Sequence, residues 1–195
     1  MNKWRINWAN FSGQNPKLYK CGYCGSDIAS QIGIGSSSTG DSIGYIYLCH
    51  VCNAPTVFDP YGNQIPGPLI GREINEISDP LVKEMYLESR KCFSTNSYTS
   101  SVMICRKLIM NLAVSKGAKT NLNFNEYVEY LGNNGYVPPD GKEWINHIRI
   151  KGNEANHEIA IMKKEDAEDI IKFLEMLLVF IYEFPARMRE LKPKI

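Results

Sequence analysis

Two stretches of this chain carry residue types at spacings that could do chemistry. The first is a pair of C-x-x-C turns, Cys21-Gly22-Tyr23-Cys24 and Cys49-His50-Val51-Cys52, separated by a β-prone segment. Each turn presents two thiolates, and two such turns make a tetrahedral cage for zinc. Gly22 and Gly25 let the backbone fold back so that its N–H groups can point at sulfur. With Cys21, Cys24, Cys49 and Cys52 as ligands the ion has no open position for water. The expected metal is therefore one structural Zn²⁺ per chain rather than a catalytic one. The bland alternative is four unligated buried cysteines. The second stretch is IRIKGNEANHE, residues 148–158, which sets Arg149, Asn153 and His157 into a helical context. Histidine titrates near neutrality and arginine offers a fixed fork of donors, the types that acid–base work on a phosphodiester requires.

At about 100° per residue, Asn146, Arg149, Asn153 and His157 share one stripe of a helix, opposite Trp144, Ile148, Gly152, Ala155 and Ile159. Arg149 and His157 then lie about 12 Å apart along the axis. Side chains lean toward a helix's amino terminus, so Arg149 reaches away from His157 within one chain. Three readings of the stripe stay open: a catalytic site completed by a second chain, a capping or dimer-interface role for Asn153 and His157, and a solvated face.

The elements that must position these residues fall into two unlike halves of the 195-residue chain. Residues 1–65 are rich in Gly, Ser, Pro and Asn, with short β-prone runs at 43–48 and 55–59. Residues 66–77 read as a linker, and 78–195 are helical by period. Ser78-Asp79-Pro80 offers a cap and a first-turn proline, followed by Leu81, Val82, Met85 and Cys92 on one side. A second helix begins near Asn96 or Ser97 and ends at Gly117; a third runs from about Asn123 to Leu131, closed by Gly132. The strongest runs from about Lys164 to Phe184, where Pro185 should stop it. Short loops between these helices predict an antiparallel bundle.

A net charge of +1 argues against a protein that coats nucleic acid. No apolar run is long enough to cross a bilayer, and the first residues lack the apolar core of a signal peptide. The expectation is a cytoplasmic protein with no membrane association, whose paired cysteines bind metal rather than form bridges. Cys92 and Cys105 fall on apolar helix faces and are expected to be small core residues. Glu165, Asp166, Glu168 and Asp169 crowd one helix start, where they favour the macrodipole. Arg90 or Arg106 is expected to pair with an acidic neighbour, and Arg187, Arg189, Lys192 and Lys194 form a small basic tail.

The order of features resembles the bacterial family catalogued as domain of unknown function 4145. That order is IPGPLIGREI, PLVKEMYLESRKCFSTNSYTSSVMICRKLIMNL, EWINHIRIKGNEANHE and EDAEDIIKFLEMLLVFIYEFP, covering residues 66 to 185. Its most specific elements are I-R-x-x-G-N-x-x-x-H and the terminal Tyr182-Glu183-Phe184-Pro185. That family looks like a branch of the HEPN superfamily. The resemblance implies a mainly α fold, an HEPN-like antiparallel helical bundle preceded by a small β zinc ribbon. It also implies a homodimer, an RNA or protein partner, and a phage-defence or toxin–antitoxin setting. Active HEPN members are metal-independent ribonucleases whose arginine and histidine meet across a two-fold axis. On that pattern Arg149, Asn153 and His157 are the candidate catalytic residues. This chain departs from the commoner R-N-x-x-x-H register, which reads Gly152-Asn153-Glu154-Ala155-Asn156-His157 here, with glycine in place of arginine. The expected function is therefore a nucleic-acid- or protein-binding module with a degenerate ribonuclease site. The alternative is a dimeric endoribonuclease toxin acting on single-stranded RNA.

Overall fold

The computed structural model describes residues 6–35, 44–138, 141, 143–148 and 161–190. The chain divides into two compact units, one formed by residues 1–70 with 94–96 and the other by 71–93 with 97–195.

The first unit is a five-stranded antiparallel sheet in sequential order: β1 (Ser12–Lys20), β2 (Asp27–Gly35), β3 (Tyr45–Leu48), β4 (Pro55–Phe58) and β5 (Gln64–Ile65). The β-prone runs become β3 and β4. β1 and β2 come from polar, glycine-containing sequence that gave no strand signal. Their pairing holds because Tyr19 faces Ile28 and Leu18 faces Ala29, while the register shifts between Gly13 and Lys17. That step leaves Pro16 out of the ladder, as its missing N–H requires. On the inner face Tyr19, Ile28, Tyr47 and Phe58 form a small core with Cys21, Cys49, Cys52 and Ala54. Phe58 meets both tyrosines edge to face, with ring centroids 5.3 Å from Tyr19 and 5.9 Å from Tyr47.

The second unit is helical. α1 (Pro80–Ser94) starts where expected, with Asp79 Oδ1 accepting from the Leu81 and Val82 amides at 2.9 and 3.5 Å. Its buried side runs through Val82, Tyr86, Ser89, Arg90 and Phe93, whereas Leu81 is exposed. α2 (Tyr98–Ser115) is buried along Val102, Cys105, Leu108, Ile109 and Leu112 and packs against α3 and α5. α3 (Phe124–Asn133) opens with a reciprocal cap between Asn123 and Glu126. It runs past Gly132, and Gly135 takes the left-handed position that follows the helix. Gly132 lies inside the helix for a different reason: a Cβ there would sit 2.5 Å from Ile145 Cδ1.

Residues 143–148 form the short helix α4, where Trp144 meets Phe173 edge to face at 5.3 Å. α5 (Lys164–Leu178) buries Ala167, Ile170, Ile171, Phe173, Leu174, Leu177 and Leu178. Pro185 does not stop this helix. The chain continues through a wider π turn, Val179–Glu183, into α6 (Phe184–Glu190). Pro185 cannot donate a helical hydrogen bond, and its ring crowds the carbonyl four residues back. The local register therefore widens, and the Phe184 amide bonds to Val179 O, five residues back.

The π turn places the buried Glu183 carboxylate against two solvent-exposed arginines. Arg72 Nη2 donates to Glu183 Oε2 at 2.8 Å, and Arg187 grips the other carboxylate oxygen. Glu175 accepts from the Arg72 amide at 3.2 Å, and the Tyr86 hydroxyl donates to Arg72 O at 3.1 Å. Arg90 closes the cluster through a 2.9 Å bond from Nη2 to Gly71 O. Arg72, helped by Arg187, holds the Glu183 carboxyl below its ordinary range against the opposing effect of burial. A depressed pKa means the stabilisation is complete above the free carboxyl value of about 4.3 and is lost as pH falls through the lower folded value. The expected outcome in urea titrations is that Glu183→Gln is less stable than wild type at pH 7. That gap narrows steadily below about pH 4.3 as the wild-type carboxylate takes up its proton.

Candidate metal centre

The two cysteine turns share one backbone design. In the first, the Cys21 amide donates to Ser26 O and the Gly25 amide to Cys21 O, both at 2.9 Å. In the second, the Cys49 amide donates to Ala54 O at 3.0 Å and the Asn53 amide to Cys49 O at 2.7 Å. Each turn needs a left-handed residue after its second cysteine. Gly25 supplies it at φ 72° and Asn53 at φ 61°, asparagine being the side chain that tolerates this region best. Gly22 is required for space instead, because a Cβ there would lie 2.3 Å from Gly67 O.

These turns bring Cys21, Cys24, Cys49 and Cys52 together with all four sulfurs within 4.8 Å of one another. The Cys21–Cys52 and Cys24–Cys49 sulfurs are each 3.7 Å apart. A disulfide needs about 2.05 Å, so neither pair is bridged. Tetrahedral zinc with bonds of about 2.3 Å would hold its sulfurs about 3.8 Å apart, close to the Cys21–Cys52 and Cys24–Cys49 separations. The group can therefore hold a metal ion and is compatible with zinc.

The surroundings favour thiolates where N–H groups reach sulfur. The Tyr23 amide points at Cys21 Sγ (3.4 Å) and the Cys52 amide at Cys49 Sγ (3.5 Å). Burial nevertheless pushes the Cys21 thiol up to about 11 against the amides of Cys24 and Tyr23. Burial raises Cys52 too. At Cys24 burial also acts upward, but bonds from Ser26 and from the neighbouring thiols outweigh it, and the net shift is downward. Ser26 Oγ, 3.3 Å from Cys24 Sγ, is placed to donate to that sulfur once the thiol has lost its proton. A metal entering this cage at neutral pH must displace protons, so its hold weakens as pH falls.

Outer contacts brace the turns. Trp8 Nε1 donates to Asn53 O at 3.1 Å, and Asn53 Nδ2 to Ile6 O at 2.9 Å. Gln64 Nε2 donates to Lys20 O at 2.8 Å and Pro66 O at 2.9 Å. None of Trp8, Ser26, Asn53 or Gln64 stood out in the sequence; the asparagine following a second cysteine was the available signal. His50 lies exposed within the second turn, away from the sulfur group.

The candidate catalytic residues Arg149, Asn153 and His157 lie outside the described residues. His147 is described. It is half-exposed, with Nε2 3.0 Å from Asp169 Oδ2. Within the acidic helix start, Asp166 Oδ2 accepts from the Lys163 amide at 3.0 Å and Glu168 pairs with Lys172 at 2.7 Å. Cys105 is fully buried, and that burial pushes its thiol up to about 12; Cys92 is partly buried. Arg106 is buried with its guanidinium 4.1 Å over the Phe124 ring, and its Nη1 has no hydrogen-bond partner among the described residues. No helix among the described residues is long and apolar enough to cross a membrane.

A family model described as a domain of unknown function (DUF4145) matches residues 87–194. Neither the curated proteins nor the solved structures contain a significant match to this chain.

For the purified full chain the expected zinc content is one ion per chain, falling well below that in Cys24→Ser. Chelation should abolish the near-ultraviolet signal of the Tyr19–Tyr47–Phe58 core, because structural zinc carries folding free energy of about 10–16 kcal/mol in small sites. An unchanged signal from demonstrably metal-free protein would contradict this.

Proposed function

The chain belongs to the domain of unknown function (DUF4145) family, and on that premise we propose that it is a non-catalytic, protein-binding module. Its first unit is a zinc ribbon braced by one structural Zn²⁺, and its second is an HEPN-like bundle. The cysteine usage favours a cytoplasmic setting, and the HEPN resemblance implies a phage-defence or toxin–antitoxin system. A cage of four protein thiolates leaves zinc no site for water or substrate, so the ion's part is to hold the sheet.

One observation carries the binding reading. The outer face of the sheet presents an unbroken aliphatic row, Ile34 opposite Ile46, Ile46 opposite Val57, and Val57 opposite Ile65. Directly paired residues of antiparallel strands project from the same face. Ile34 and Val57 are each 39% exposed and Ile65 is 56% exposed. Such a row suits an apolar protein surface. It does not suit nucleic acid. Among the described residues of this unit the basic side chains are Lys17 and Lys20, and Lys17 is drawn over the Phe58 ring at 4.5 Å. Phosphate recognition needs a denser positive surface.

The test joins capture with a cleavage assay on the zinc-loaded full chain. Val57→Asp with Ile65→Asp should abolish partner capture while zinc content stays at one per chain. Single-stranded RNA should survive incubation with wild type. Cleavage that drops about 10²–10⁴-fold in His157→Ala would overturn the binding-module reading in favour of the ribonuclease.

A further inference from the structure

Arg106 carries a buried charge that the described residues leave unanswered. It stands on the inward side of α2 with Val102, Cys105 and Ile109, and is 3% exposed. Its guanidinium lies 4.1 Å from the centre of the Phe124 ring, and its buried Nη1 has no hydrogen-bond partner among the described residues. Burial pushes its pKa down, and no neighbouring acid opposes that shift. Arg90, buried to a similar degree on α1, shows the contrast. It too lies over a ring, Tyr86, yet its Nη2 donates to Gly71 O at 2.9 Å. A ring face attracts a guanidinium but gives the N–H groups in its plane no acceptor. A buried donor of this kind is rare, and a bound anion is one of the things that answers it.

Phe124 is the first residue of α3, so the guanidinium lies against the positive end of a ten-residue helix. The reciprocal cap satisfies the Glu126 amide and commits the Glu126 carboxylate to the Asn123 amide at 2.7 Å. The Phe124 and Asn125 backbone amides have no acceptor among the described residues. Asn125 Oδ1, in the same turn, is buried without a donor among them. The turn therefore offers several donors and one acceptor. A hydrogen phosphate ion matches that set, because it carries charged oxygens and a hydroxyl at neutral pH. Sulfate has no proton to give, and a phosphomonoester has lost most of its own above its second pKa of about 6.

We propose that Arg106 and the first turn of α3 form a binding site for a single hydrogen phosphate ion. The Arg106 fork donates to two phosphate oxygens, the Phe124 and Asn125 backbone amides donate to a third, and the phosphate hydroxyl donates to Asn125 Oδ1. Enclosure of the arginine suits an ion of this size, and one buried arginine cannot track a polyanion. The site belongs to the helical unit and does not depend on the aliphatic row of the sheet, so either reading can fail without the other.

Thermal unfolding of the zinc-loaded full chain, in chloride, sulfate, phosphate or glycerol phosphate at equal ionic strength and pH 7, is the test. Phosphate at tens of times its dissociation constant should raise the wild-type midpoint by about 4–8 °C over chloride. Sulfate and glycerol phosphate should give clearly smaller shifts. General salt effects act on wild type and variants alike, so the difference between them reads the site. Arg106→Met should lose the phosphate-specific shift yet unfold no earlier than wild type in chloride, because an apolar chain replaces an unpaired buried charge. Arg106→Lys, which keeps the charge without the fork, should bind phosphate about tenfold more weakly or worse. Asn125→Leu should reduce the phosphate shift to that of sulfate. A wild-type midpoint that phosphate moves no further than sulfate overturns the proposal. So does an Arg106→Met chain that unfolds earlier in chloride and still responds to phosphate as wild type does, because the arginine is then held only for its ring contact. An equal shift with glycerol phosphate overturns the free ion in favour of an ester's terminal group.

Discussion

Four sulfurs must come within 4.8 Å of one another, and the architecture of the amino-terminal unit follows from that convergence. Three of the eight residues in its buried core are themselves cysteines of the group. A sheet with so few other apolar side chains inside it has little hydrophobic free energy to set against chain entropy. The sulfur group replaces part of the core that a larger domain would have. Each backbone detail nearby serves it: left-handed Gly25 and Asn53 turn the chain back, and Gly22 leaves room for Gly67 O. Trp8 and Gln64 hold the turns from outside. Burial makes the Cys21 and Cys52 thiols resist ionisation, whereas the bonds around Cys24 ease it. A cation that neutralises them removes that penalty and fixes the sheet together.

The helical unit solves a different problem, the burial of charge. Glu183 is only 5% exposed, and an unpaired carboxylate there would be costly. Arg72 and Arg187 both reach it, and Glu175 and Tyr86 complete the cluster around the Arg72 backbone. Pro185 contributes indirectly. By forcing the register to widen over Val179–Glu183 it alters the direction in which the following side chains leave the helix.

What the sequence disclosed was local. The cysteine spacing picked out the four sulfurs that converge, because two residues between thiols is a turn whatever surrounds it. Asp79-Pro80 placed the start of α1, and the helical period placed the start of α5 at Lys164. Three things needed tertiary contacts. β1 and β2 consist of residues with weak strand preference and pair only because Tyr19 and Ile28 share a core. Leu81 looked apolar and in phase, yet the helix turns Tyr86 and Phe93 inward and leaves it exposed. Arg72 and Glu183 are 111 positions apart, and neither carries a local signal that would join them. Pro185 was misread because a proline near a helix end ends it more often than it reshapes it. Arg149, Asn153 and His157 lie outside the described residues, so the polar stripe of IRIKGNEANHE rests on the sequence pattern alone.

X-ray absorption at the zinc edge of the purified full chain tests the central claim most directly, because it reads the identity and distance of the ligand atoms. A closed cage built from Cys21, Cys24, Cys49 and Cys52 predicts four sulfur neighbours at about 2.3 Å and no light-atom shell at bonding distance. A spectrum fitted by two or three sulfurs plus nitrogen or oxygen at about 2.0–2.1 Å would contradict it. The ion would then have an open or histidine-filled position, and the account of zinc as a purely structural brace would fail.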